Sequence, residues 1–458
     1  MTEPATPALP LDDLRASLAG RVLTSAEPGY ERAREVFNMA FDLRPALIAR
    51  PVGADDIAAA IAFARDTGLE LAIKGGGHGM AGHGATDGGL LLDMSDMKGI
   101  EIDPHARTAW SQAGLTAGEY TDAAARHGLA TGFGDTGSVG IAGITLGGGI
   151  GWLVRKHGLT IDSLLAAELM TVDGELVRAD ADSHSDLFWA LRGGGGNFGV
   201  VTRLQYRLEE VDGILAGLFV LPATAENLRR FIDAAAQAPD ELTIISHVAP
   251  APPAPFLPPE QHGKLVLMGM FAYAGDPGAG ERAIEPIRSI ATPIAEIVRP
   301  VRYPEIFGLF GEGPPRVAMA TRTSFSDDID EATAAAIVER VRTAPVRGAV
   351  QMRVLGGAMA RVPAGATAFA HRDRRVMVIT GAMGDDPAQA PDLDGWAHET
   401  AAALGLYGNG AYVNYLADEP ERVREAYPDA TYERLARVKA QYDPDNVFRV
   451  NQNIAPAA

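Results

Sequence analysis

Lys74-Gly75-Gly76-Gly77-His78-Gly79-Met80-Ala81-Gly82-His83-Gly84 is the stretch on which the fold turns, and a second glycine array follows it, GDTGSVGIAGITLGGGIG over 134–151. Glycine lets a backbone approach phosphates closely and turn its N–H groups towards them. Two such arrays in one domain imply a large anionic cofactor. His78, embedded in the first array, places a nucleophile at the same spot, and the combination points to a histidine-linked flavin.

The plain alternative is a nicotinamide site. Gly77-x-Gly79-x-x-Gly82 and Gly194-x-Gly196-x-x-Gly199 both match the dinucleotide fingerprint literally. That fingerprint must run into a helix whose N-terminus holds the pyrophosphate. Here the first match is followed by more glycines and the strand-like Leu90-Leu91-Leu92-Asp93, and the second by the β-branched Val200-Val201-Thr202. Neither opens a helix.

The chain of 458 residues is long enough for two domains, each with its own core. It has no cysteine, which excludes disulfides, thiolate metal sites and a cysteinyl cofactor link. A net charge of −19 argues against nucleic acid and anionic membranes as partners. The ten histidines are scattered without His-Glu-x-x-His, so no metal is expected, and no Gly-x-Ser-x-Gly elbow is present. The N-terminus shows neither a basic n-region nor an apolar h-region, and no apolar run reaches membrane-spanning length, so a cytoplasmic protein is expected, as monomer or homo-oligomer.

Spacing predicts a β-α-β beginning: a helix over 55–65 that stops before Gly68, then a strand over 69–74 that delivers the first array. Strands follow at 89–93, 99–102 and 108–113. Thr116-x-x-Glu119 is a capping box. Residues 166–179 read as a hairpin around Asp173-Gly174, and 199–208 as a strand that ends this part near Asp212-Gly213. Beyond it, strands at 215–221, 242–247, 264–273 and 349–355 alternate with helices at 225–236, 279–290 and 331–342. A helix over 431–441 and the polar tail through Asn451 and Asn453 read as returning to the first domain.

Four blocks, taken together, resemble one family: GGGHGMAGHG at 75–84, GSVGIAGITLGGGIGWLVRKHGLTIDSL at 137–164, DLFWALRGGGGNFGVVT at 186–202, and YVNY with YDPDNVFRVNQNI at 412–454. The chain is similar to the berberine-bridge-enzyme-like oxidases of the vanillyl-alcohol-oxidase type. This resemblance implies an α+β protein with a PCMH-type two-part FAD-binding domain and a substrate domain whose antiparallel sheet is covered by helices. The implied division is 1–212 and 405–458 around FAD, with 213–404 for substrate. It also implies FAD bonded through the flavin 8α carbon to His78. Gly75, Gly76, Gly77, Gly79, Met80 and His83 would surround it from the first block. Gly134, Thr136, Ser138, Val139, Gly140, Gly143, Gly148 and Gly149 would do so from the second, Gly196 and Val201 from the third, and Asn414, Asn451 and Asn453 from the last. Thr136 stands where doubly linked relatives carry a cysteine, so one covalent link is expected and the flavin should be a weaker oxidant than theirs. Ile144 stands where those relatives often have a histidine. Val139 occupies the position associated with oxygen access, and a small residue there resembles the oxidases, with O2 as acceptor.

Removing a hydride from an alcohol carbon requires a base for the hydroxyl proton, and a tyrosine serves where positive charge lowers its pKa. Tyr412 and Tyr415 are the candidates. A strand through Tyr412-x-Asn414-Tyr415 would send the two tyrosines to opposite faces, and the resemblance favours Tyr415. In 349–355, Val350, Met352 and Val354 share one strand face, while Gln351 and Arg353 share the other, facing a cleft or solvent. The resemblance assigns substrate contact to Gln351, and a solvated position is as good a reading for Arg353. The charged run 371–375 is expected to be solvated. The function expected is an FAD-dependent oxidase of a small hydroxyl-bearing molecule. Amine oxidation on the same fold, a flavin reductase that does not use O2, and a non-catalytic flavin-binding module are the alternatives.

Overall fold

The computed structural model describes residues 9–211, 213–309 and 316–458, so Asp212 of the expected boundary lies outside the described residues. In the first sheet the strands Leu47–Arg50, Leu90–Asp93 and Leu71–Lys74 run parallel, with Arg21–Leu23 antiparallel at the edge. Helix Ala54–Thr67 makes the crossover and stops at Gly68, whose left-handed backbone (φ 70°) no side chain adopts easily. The first glycine array leaves the carboxyl end of Leu71–Lys74, the edge at which parallel sheets present ligand sites.

A five-stranded antiparallel sheet follows, in the order Ile100–Asp103, Thr108–Gln112, Val200–Arg207, Leu164–Met170 and Leu176–Asp180. Both halves of the Thr116/Glu119 capping box form at helix Ala117–Ala125. The two sheets share one apolar core, which also takes in Leu416, Tyr427, Leu435, Phe448 and Ile454 from the C-terminal segment. Lys439, fully buried on helix Asp429–Tyr442, pins that segment by donating to Asp443 and to the carbonyls of Asn197 and Phe448.

The third sheet has seven antiparallel strands, ordered Ala295–Val301, Ile214–Pro222, Leu265–Tyr273, Leu242–Pro250, Arg347–Val354, Val376–Gly384 and Ala318–Ser326. Sequence spacing identified four of these seven. One face packs against helices Ala225–Gln237, Pro277–Arg288, Glu331–Arg342 and Ala390–Ala403 through Phe231, Ile284, Ile337 and Trp396. The other meets the second glycine array through Arg353, Met377 and Ile379.

Two expectations are corrected here. No strand runs through Tyr412-Tyr415: Val413–Tyr415 is a 3-10 turn, closed by the Tyr415 N–H on the Tyr412 carbonyl at 2.9 Å. Among the described residues the segment has no strand partner, and Asn414 instead caps a neighbouring carbonyl with its side chain, donating to Ile144 O at 3.0 Å. Nor is the run at 371–375 solvated throughout. Arg372 is 1% exposed and bonds both oxygens of Asp162 at 2.7 and 2.8 Å, so a buried ion pair neutralises it.

Candidate active site

The two glycine arrays touch back to back. A Cβ on Gly76 would lie 2.2 Å from the Gly140 nitrogen, and one on Gly140 would lie 2.3 Å from the Gly76 nitrogen. Only glycine permits this approach. At the end of the second array a Cβ on Gly149 would fall 1.9 Å from Thr160 Oγ1, and one on Gly148 2.9 Å from the Phe369 ring. Nothing lies within 4 Å of a Cβ on Gly79, Gly143 or Gly196, so those three flank open space. The surroundings therefore suit a ligand that lies along backbone.

His78 is held at the meeting point of the arrays. Its Nε2 is 3.0 Å from Ser138 Oγ, and Phe37 stacks on the ring at 4.5 Å and 17°. Its Nδ1 has no hydrogen-bond partner among the described residues. Burial pushes the imidazole down to about 4, against the opposing field of Asp135, so it is neutral near pH 7. A neutral ring with one free nitrogen is a nucleophile.

The remaining residues singled out by sequence divide between backbone support and packing. Gly75 and Met80 are half-buried beside His78, and Gly77 adopts φ 70° and hands its carbonyl to the Phe37 N–H. His83 turns away to Asp418, 3.8 Å off, tying the first array to the C-terminal segment. Gly134 packs on Ile144, and Thr136 donates to Asp135 at 3.2 Å. The half-buried Val139 gives its carbonyl to the Ala117 N–H. Val201 is 5% exposed within the first apolar core. Asn451 donates to Gly196 O at 3.2 Å, yet the side-chain oxygens of Asn451 and Asn453 are buried and accept no hydrogen bond. Buried acceptors left open in this way fit a ligand with N–H or O–H groups.

Above the arrays, the register of the seven-stranded sheet pairs Gln351 with His247 and with Ile379. Arg353, two residues on, shares that face and is 3% exposed, so it is not a solvated residue. Its Nε donates to Gln351 Oε1 at 2.8 Å, and its Nη1 to Ile150 O at 3.3 Å. Its Nη2 reaches both Asp135 Oδ2 at 2.6 Å and the Tyr415 hydroxyl at 2.9 Å. Because the Arg353 N–H can only donate, Gln351 presents its oxygen there and its NH2 to His247 Nε2, 2.5 Å away. Burial, then Arg353, push His247 down to about 4, so it too is neutral.

The two tyrosines sit side by side, rings 5.9 Å apart, in different surroundings. Tyr412 is 2% exposed, and its hydroxyl accepts from the Gly149 N–H and from Asn414, each at 2.9 Å, which anchors the second array. Tyr415 is half-buried and meets Arg353. The positive charge expected beside a tyrosine base is therefore present at Tyr415. It does not win: burial pushes the Tyr415 phenol above its ordinary value despite Arg353, and Asp135 adds to the rise. Sequence reasoning missed Asp135, His247 and Phe37. Only Asp135 carried a visible signal, as the one acid inside the second array.

A glycine-lined cradle with an open histidine nitrogen, beside a sheet whose Arg353 meets Tyr415 of the C-terminal segment, fits a flavin-dependent oxidoreductase. Residues 45–180 match the family model for FAD-binding domains, and 411–455 that for berberine and berberine-like proteins. (R)-6-hydroxynicotine oxidase of Paenarthrobacter nicotinovorans is 30% identical over 461 residues, covering 96% of this chain and 97% of that one. The solved 6-hydroxy-D-nicotine oxidase of Arthrobacter nicotinovorans superposes with a TM-score of 0.86 at 28% identity, covering 99% and 100% of the two chains. Glucooligosaccharide oxidase from Acremonium strictum, an enzyme described with a 6-S-cysteinyl, 8α-N1-histidyl FAD, gives 0.85 at 24% identity, covering 97% and 99%. The chain belongs to the berberine-bridge-enzyme-like FAD-linked oxidases, with the α+β fold of that family. Among the described residues no helix is long and apolar enough to cross a membrane.

Proposed function

We propose that the protein holds FAD by a single covalent bond from His78, oxidises a hydroxyl-bearing carbon of a small organic molecule, and passes the electrons to O2 to give H2O2. The state of His78 carries this reading: Ser138 takes Nε2, Phe37 covers one face, and Nδ1 is open. Bound FAD supplies the acceptor for the substrate hydride and the donor to oxygen. Both glycine arrays, with Gly196, Asn414, Asn451 and Asn453, hold the cofactor by backbone and amide groups. Tyr412 and Asn414 keep the second array in place. Tyr415 takes the hydroxyl proton, and Gln351 orients the substrate above it. Thr136, in a chain without cysteine, leaves His78 as the sole covalent anchor, unlike the doubly linked glucooligosaccharide oxidase. Val139, a small residue where the resemblance places the oxygen gate, would leave oxygen a way in. The FAD unit comprises 1–212 and 405–458, the substrate unit 213–404, and the protein acts in the cytoplasm.

Acid precipitation of the purified protein tests the anchor. The pellet should stay yellow for the natural chain and turn colourless for His78→Ala, and flavin released into the supernatant from the natural chain would overturn it. Anaerobic bleaching of the flavin by a panel of alcohols, sugars and cyclic amines then identifies the substrate, and admission of air with peroxide detection tests the acceptor.

Amine oxidation is the second reading, favoured by one observation. Burial keeps the Tyr415 phenol protonated near neutral pH, and a neutral amine loses hydride without needing a base. Full activity of Tyr415→Phe on an amine would select it.

A further inference from the structure

Among the described residues the Tyr415 hydroxyl has a single charged neighbour in direct contact, and that neighbour is shared. One nitrogen of Arg353, Nη2, lies between the phenolic oxygen at 2.9 Å and Asp135 Oδ2 at 2.6 Å. The guanidinium carbon stands 5.4 Å from the Tyr415 ring centroid, over its face. Gln351 and the Ile150 carbonyl engage the other two guanidinium nitrogens, which holds the plane in place. A guanidinium does not lose its proton in proteins, so this charge is permanent. Tyr415 thus faces a fixed cation, with a fixed carboxylate immediately behind it.

We propose that Arg353 and Asp135 are a positioning pair with opposed effects on Tyr415, the guanidinium promoting ionisation of the phenol and the carboxylate restraining it. The proposal rests on Tyr415 being the group that meets the substrate proton. Its physics is local: a phenolate formed by loss of the phenolic proton to solvent would stand at hydrogen-bond distance from the cation and one atom further from the anion. Arg353 is buried and the Asp135 side chain only 22% exposed, so solvent screens both fields in part and leaves each to act on the phenol. The other groups facing Tyr415 are few. Tyr412 lies on its own turn, and from the adjacent strand Ala318–Ser326 comes Thr321, whose hydroxyl bonds the Tyr415 carbonyl at 3.3 Å. His247 and His78 stand at the far sides of Gln351 and Asp135 and are neutral. The perturbations follow the geometry: after burial, Arg353 lowers the phenol while Asp135 and Tyr412 raise it. Asp135 lies in the second glycine array and Arg353 in the roof sheet, so the pair also fixes the height of Tyr415 between cofactor cradle and substrate.

Two substitutions in the same ion pair should move Tyr415 in opposite directions, which a purely structural ion pair cannot do. Ultraviolet phenolate absorbance of the flavin-loaded enzyme is followed against pH, with Tyr415→Phe as the blank, and needs no substrate. Asp135→Asn should bring the titration down by about 1–3 pH units, and Arg353→Gln should raise it by a similar amount. Arg353→Lys keeps the charge and should stay near the natural chain. Flavin content and melting temperature select the folded variants, and if Arg353→Gln does not fold, Asp135→Asn and Arg353→Lys still decide the matter. Asp135→Asn titrating at or above the natural chain, or Arg353→Gln below it, overturns the proposal. Opposed shifts together with an undiminished flavin reduction rate in Tyr415→Phe would instead uphold the pair and overturn the assignment of Tyr415 as base.

Discussion

The two faces of the strand Arg347–Val354 are built from alternate residues of one short sequence and do different work. Val350, Met352 and Val354 enter the apolar layer under the helices and are nearly inaccessible. Gln351 and Arg353 turn to the other side and join Asp135, His247 and Tyr415 in one hydrogen-bonded set. The covered face is held by area and fit, so its residues are interchangeable with others of similar volume. The polar face is held by direction, since each hydrogen bond fixes the angle at which its partners meet. A change on one face should be felt in stability and on the other in chemistry.

The strongest way to break this division is Tyr415→Phe, which keeps the ring and removes the hydroxyl. Flavin reduction by an alcohol substrate should slow by about 10²–10⁴-fold with the melting temperature little changed. A large loss of stability with unaltered reduction would invert the comparison. Met352→Ala is the counterpart on the covered face, where truncation should cost about 2–5 kcal/mol in denaturant unfolding while the reduction rate of the folded enzyme stays put. The acid limb sharpens the picture further. His247 is pushed from 6.5 down to about 4 in the folded chain, so between those values the unfolded chain binds a proton that the folded one refuses. Its contribution is complete above pH 6.5 and is lost as pH falls towards 4. His247→Gln should flatten that fall in melting temperature, and an unchanged slope would show that His247 is not its source. The smallest effect belongs to Tyr412→Phe, which removes a hydroxyl bonded to Gly149 and Asn414 and should cost about 0.5–1.5 kcal/mol of stability. A collapse of flavin reduction in that variant with Tyr415→Phe still active would move the base to Tyr412.

What the sequence disclosed was local. The glycine arrays, the capping box at Thr116 and the alternation at 349–355 are each set by residues within one turn or one strand, and each was found where spacing put it. The Tyr412–Tyr415 segment misled because four residues say nothing of whether a partner edge lies beside them, and among the described residues none pairs with it. Strand Val376–Gly384 escaped notice because it is buried on both faces over much of its length and so shows no period of two. Asp135 and Arg353 are 218 positions apart, and His247 and Gln351 104 apart. The second pair exists through sheet register and the first through contact of the second glycine array with the strand Arg347–Val354, and no window of sequence contains either.

The contact between Gly76 and Gly140 has a consequence for how the two loops can vary. Each glycine occupies the room that a side chain on the other would need, so they behave as one genetic unit. Alanine at either position must wedge the loops apart, and once they are apart the second alanine meets a gap already opened. The penalties should therefore combine less than additively. Compensation for a change in one loop must then be sought in the other, so the cradle can be widened only by altering both loops together.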